Sequence, residues 1–172
     1  MINTQEYKQI KEFYGDRRAL RSGVPYINHI DEGLIILHEI GASDLAKRAY
    51  CLHPLLQTDY DYNNNYNRLL IENTLKLPVL INDSYRKSAN EWLSNRVQFH
   101  DGDFYADGIP HIYGPYAVRE MLIADKIQNY KDFILYQKST HHRSQELEIY
   151  FKIWLGYLKI RDFNYFFKIL QK

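Results

Sequence analysis

Three residues of this chain carry side chains that suit a divalent cation: His29, His53 and Asp125. Two imidazoles and a carboxylate form a workable donor set for Mn²⁺, Fe²⁺ or Zn²⁺. Their separations match no compact metal-ligand motif, and with seven histidines in the chain a chance triplet is the plain alternative. Each residue also has an ordinary structural reading. His29 would hydrogen-bond backbone at a helix entry, and His53 would cap a helix end. Asp125 sits among apolar neighbours, where an unpaired carboxylate is costly, so it needs a metal, hydrogen bonds or a salt bridge to Arg17, Arg18 or Arg21.

Other polar groups are weaker candidates. His100-Asp101, followed by Asp103, Asp107 and His111, lies in a Gly-rich run that reads as a loop able to cover a pocket or lend a ligand. His141-His142-Arg143 reads as an exposed helix entry, with a phosphate contact from Arg143 as the alternative. Cys51, the single cysteine, lies in the apolar run Ala49-Tyr50-Cys51-Leu52 and reads as a buried, inert thiol. It excludes an internal disulfide.

The elements that must position these groups are helical by periodicity. Helices are expected over Thr4 to about Phe13, Asn28 to Ile40, Asp44 to His53 with Ser43 as its cap, and Tyr116 to Tyr130. Two aromatic-rich helices, Glu146 to Leu158 and Asp162 to Leu170, close the chain. Pro54 is expected to end the third helix and leave His53 projecting from it as an exposed imidazole. The Tyr- and Asn-rich run Asp59 to Asn67 reads as a loop or fraying helix start. Leu69 to Leu80 has helical spacing broken at Pro78, Ser84 to about Val97 is a further helix, and 98–115 is irregular. On these periods His29 opens a helix, His53 ends one, and Asp125 and Asn129 share a helix face one turn apart. No strand is signalled, so the chain reads as one all-α domain over residues 1–172 with seven or eight helices.

Composition agrees with a folded, water-facing chain. Of 172 residues, 45% are hydrophobic and 25% charged, and 16 tyrosines raise the aromatic share. A net charge of +1 gives no global field for DNA, RNA or an anionic membrane, so any anion site must be local. The cluster Arg17, Arg18 and Arg21 is the best such site. With no apolar leader or membrane-length run, a cytoplasmic location is expected. The C-terminal aromatics, among them Trp154, Tyr157 and Phe166, read as core or as a face for self-association.

Three segments carry a resemblance: Arg21-Ser22-Gly23-Val24-Pro25-Tyr26-Ile27-Asn28-His29, Ala49-Tyr50-Cys51-Leu52-His53, and Ile123-Ala124-Asp125-Lys126-Ile127-Gln128-Asn129. In order and approximate separation they resemble the hydrolase domain of the RelA/SpoT alarmone enzymes and their small single-domain relatives. Those belong to the HD superfamily of metal-dependent phosphohydrolases. The resemblance covers about residues 13–133, with the helices over 144–171 packed on it. It departs at the doublet that names the superfamily, because His53 is followed by Pro54 where the family has a metal-binding aspartate. The acidic pair a few residues on is replaced by Gln57-Thr58.

The resemblance implies an HD-like helical bundle and a hydrolase acting on a nucleotide or alarmone-type (ppGpp-like) phosphate or pyrophosphate ester. It implies His29, His53 and Asp125 as metal ligands, with Mn²⁺ the first choice of ion, and Arg21, Ser22, Tyr26 and Asn129 as substrate-binding residues. Asp59, Asp61, His100 or Asp101 could supply the missing ligand, and no residue is assigned as catalytic acid or base. The alternative is a catalytically degenerate member that binds a nucleotide or a protein partner without hydrolysis.

Overall fold

The computed structural model describes residues 4–72 and 75–171. It is an all-α structure with one small hairpin. In chain order the elements are α1 (Gln5–Tyr14), α2 (Ile27–Glu39), α3 (Asp44–Leu52), α4 (Asp59–Ile71), α5 (Lys76–Glu91), β1 (Val97–His100), β2 (Asp103–Ala106), α6 (Tyr116–Asp132), α7 (Ser144–Tyr157) and α8 (Phe163–Ile169). No described helix is long and apolar enough to cross a membrane.

Helix α3 is central, packed by α1, α2, α5 and α6. Its start is fixed twice: the Ser43 hydroxyl accepts from Ala46 N at 3.2 Å and donates to Glu120 Oε2 on α6 at 2.6 Å. The cap satisfies an orphan helix N–H, and the second bond ties α3 to α6. Helix α2 crosses α3 closely enough that a Cβ on Gly33 would overlap the Tyr50 ring. Gly33 is therefore required for that approach. Helix α6 is buried on most sides, and its expected inward residues Val118, Met121, Leu122, Ala124 and Ile127 are all inaccessible. On the far side, Trp154 of α7 packs edge-on to Trp92, which stacks on Tyr150. The short helix α8 adds no fully buried side chain.

Four expectations change. The run 59–67 is helix, because Thr58 caps α4 by accepting from Asp61 N at 3.0 Å. Tyr62 and Tyr66, one turn apart and stacked at 4.6 Å, both donate to Asp83 of α5. Pro78 does not break a helix; it sits in the first turn of α5, where its missing N–H costs no ladder bond. The expected helix over 69–80 is instead the end of α4 and the start of α5, and its residues 73–74 lie outside the described part. The expected helix from Ser84 to Val97 is the second half of α5, which ends at Glu91.

The third change is the hairpin. Asp101 and Gly102 have φ of 50° and 91° between paired His100 and Asp103, the two-residue turn that Asp-Gly favours. The fourth concerns His53. It keeps helical dihedrals (φ −58°, ψ −36°) and opens a single 3₁₀ turn, His53–Leu55, with Pro54 at its start. The residue is buried, at 2% exposure, and its side chain does not project. A proline in a first turn gives up no hydrogen bond, so the chain turns inward there instead of leaving the helix.

Candidate metal centre

Three elements bring the candidate ligands together. His29 lies in the first turn of α2, where the preceding loop is closed by an Arg18–Pro25 bridge and by Tyr26 N donating to Arg17 O at 3.0 Å. His53 follows α3, and Asp125 is central in α6. One ligand atom from each falls within 4.8 Å of the other two. His29 Nε2 and His53 Nε2 are 3.1 Å apart, and Asp125 Oδ1 is 3.7 Å from the first and 4.0 Å from the second.

The surroundings fix which nitrogen of each ring carries hydrogen. His53 Nδ1 is 2.6 Å from the carbonyl oxygen of Tyr50, which can only accept, so Nδ1–H donates and Nε2 is left with its lone pair. His29 Nδ1 is 2.6 Å from Gln128 Oε1. The Gln128 amide cannot be turned round, because its Nε2 donates to Glu32 Oε2 at 3.1 Å and Asp132 Oδ2 at 2.8 Å, both carboxylates. Lys131 holds Glu32 in place with Nζ 2.5 Å from both of its oxygens and 2.9 Å from Asp132 Oδ1. His29 Nδ1–H thereby donates to Gln128 Oε1, with Nε2 turned to the centre.

Two imidazole Nε2 atoms and a carboxylate oxygen therefore converge. The Tyr50 hydroxyl has a single hydrogen to share between His29 O at 3.3 Å and His29 Nε2 at 3.4 Å. His53 Nε2 faces His29 Nε2 and the Asp125 carboxylate. The chemistry of such a cluster fits a divalent metal. His29, His53 and Asp125 are the residues that could hold one.

Asp125 has a cation beside it, and it is not an arginine. Lys126 Nζ is 2.9 Å from Oδ2, while Asn129 Nδ2 donates to Oδ1 at 2.8 Å. Burial pushes the Asp125 carboxyl up, but Lys126, His29 and His53 outweigh it and bring it down to about 2. Burial, then the neighbouring His29, lowers His53 to about 3, so it is neutral at ordinary pH and free to ligate. Burial also opposes the Lys126 ammonium, yet the Asp125 carboxylate raises it above its usual value.

The three candidate ligands stand at the floor of a cleft of about 680 Å³. Its walls include Phe13, Tyr14, Arg17, Tyr26, Asp61 and Asn129. Arg17 is held at the rim: Nε donates to Tyr14 O at 3.1 Å, Nη2 to Phe13 O, and the guanidinium lies 4.8 Å from the Phe13 ring centre. Of the expected substrate residues, Tyr26 and Asn129 line the cleft. Arg21 and Ser22 do not; Arg21 is exposed, and Ser22 Oγ accepts from Val24 N at 3.2 Å within the loop.

Among possible replacement ligands, only Asp61 lines the cleft, and it is not part of the close cluster. Asp59 pairs with Arg86, and His100 and Asp101 lie on the exposed hairpin. The residues that sequence reasoning missed are Lys126, Gln128, Glu32 and Lys131. The first two flank Asp125 on its own helix, which was the available signal; Glu32 lies one turn beyond His29. No family model, curated protein or solved structure matches the chain, so the reading of this centre rests on its geometry.

Proposed function

We propose that the chain is an HD-type, metal-dependent phosphohydrolase acting on a nucleotide or alarmone-type phosphate or pyrophosphate ester. The observation that carries this is the convergence of His29 Nε2, His53 Nε2 and Asp125 Oδ1, oriented by Tyr50 O, Gln128 and Asn129. A divalent ion there, with Mn²⁺ the first to test, would supply Lewis acidity toward a phosphoryl group and acidify water. Arg17, with backbone carbonyls engaging part of its fork, keeps Nη1 for a phosphate oxygen entering over the rim. Tyr14 and Tyr26, 5.5 Å apart on the same wall, offer an apolar face to a base. Asn129 keeps the Asp125 carboxylate aimed at the floor.

A second reading is favoured by one specific feature. No second carboxylate among the described residues joins the three ligand atoms, and the position after His53 is Pro54. On that reading the cleft binds a nucleotide without cleaving it. Metal content of the purified chain by mass spectrometry, then phosphate and pyrophosphate release from a nucleotide panel with Mn²⁺, separates the two. The hydrolase reading expects bound metal and turnover abolished by Asp125→Asn. Nucleotide binding with metal absent and no release from any substrate would overturn it.

A further inference from the structure

Lys126 changes what the centre can accept. Its ammonium is 2.9 Å from Asp125 Oδ2 and cannot withdraw to water, since the residue is 5% exposed and Nζ lies 5.1 Å from the Trp154 ring centre and 5.6 Å from that of Tyr150. The aromatic faces and the carboxylate all favour the charged form staying where it is. The only charge among the three ligands is thus already cancelled by a fixed neighbour. The cleft wall also carries Arg17, Asp61 and Asp132. Asp132 is paired with Lys131 at 2.9 Å, and Glu32, held by the same ammonium, is separated from the ligand atoms by Gln128 and the His29 ring.

We propose that this centre takes up its divalent cation together with an oxyanion of the phosphate class, each strengthening the binding of the other. A dication entering a ligand set whose one carboxylate is already paired with Lys126 keeps nearly all of its own charge, and among the described residues no further carboxylate joins the close cluster to reduce it. The open side faces the cleft, where a phosphate oxygen meets both the cation and Arg17. The anion therefore supplies the charge that the protein lacks. By linkage the preference is mutual: phosphate binds weakly to the metal-free chain, and the metal binds weakly to the phosphate-free chain.

The proposal rests on the metal-centre reading, and its test keeps the two apart. Chelator-stripped protein is titrated with Mn²⁺, free ion being read by electron paramagnetic resonance, with and without inorganic phosphate and against a protein-free blank. Saturating phosphate is expected to tighten Mn²⁺ binding about tenfold or more, within the usual range of coupling between sites, whereas chloride at equal ionic strength leaves it unchanged. Lys126→Met keeps the apolar stem and removes the charge. It is expected to tighten Mn²⁺ binding without phosphate and to shrink the phosphate effect. Equal affinity with and without phosphate in the unaltered chain overturns the proposal by itself, whether or not the variant folds, and leaves the metal centre standing. Absence of Mn²⁺ binding under every condition removes the metal centre and the coupling with it.

Discussion

Among the described residues imidazoles lie next to carboxylates in two places, and by distance alone the hairpin looks the better ligand set. His100 Nε2 lies 3.0 Å from Asp101 Oδ2 on the hairpin turn, closer than the 3.7 and 4.0 Å that separate Asp125 from His29 and His53. Yet the hairpin pair is 74% and 87% exposed, with water free to solvate both partners. In the helical cluster the side chains of His53 and Asp125 are 3% and 6% exposed, and each ring is turned by a bond on its far side. What makes a ligand set is the burial and orientation imposed by neighbours, and proximity in sequence or space is secondary.

Charge removal is the sharpest way to break the comparison. Asp125→Asn leaves the Lys126 ammonium buried without its carboxylate, and urea unfolding should show a loss of about 3–5 kcal/mol. Asp101→Asn, which keeps a side chain tolerant of the positive φ, should stay within about 0.5 kcal/mol of the unaltered chain. Similar losses from both would mean that the helical cluster is no more structural than the hairpin.

Acid should separate the two regions next. His53 is held at about 3 against an ordinary value of 6.5, so the unfolded chain takes up a proton before the folded one does. Its contribution is complete above pH 6.5 and drains away as pH falls toward 3, at about 1.4 kcal/mol per pH unit. Asp125, held at about 2, adds a loss of the same sign below its ordinary 3.8. Unfolding free energies measured from pH 7 to 4 should therefore fall steeply, and less so in His53→Gln. A profile indifferent to His53→Gln would show that this imidazole is not held neutral.

The smallest effect tests orientation. Gln128→Leu removes the acceptor that sets the His29 ring without touching a ligand atom. It should weaken Mn²⁺ binding about 10–100-fold, and unchanged affinity would show that His29 needs no positioning partner.

How much of this could be read beforehand follows from range. The helices α1, α2, α3 and α6 were legible because apolar stripes and the caps Thr4 and Ser43 lie within a few residues of one another. The Asp101-Gly102 turn was equally local and was passed over, its short strands lying in a run rich in Gly and Asp. The run 59–67 misled because Asn and Asp are weak helix formers. Its stability comes from Tyr62 and Tyr66 reaching Asp83, a contact that composition does not carry. In the site, the three residues that converge were singled out from residue type and resemblance. The orienting bonds were not, since Gln128 and Lys131 meet Glu32 across 96 and 99 residues of chain. The burial of His53 was missed for a related reason: Pro54 marks a helix boundary, but packing by Tyr50 and Tyr85 decides which way the chain turns there.

The central claim is that both histidines present unprotonated Nε2 atoms to a shared cation. Long-range nitrogen–proton correlation spectra of the imidazoles report this directly. At pH 7.5 His29 and His53 should both appear as Nδ1–H tautomers, and adding Zn²⁺ should shift both Nε2 resonances together. An Nε2–H tautomer for either ring, or Nε2 signals unmoved by Zn²⁺, would contradict the account.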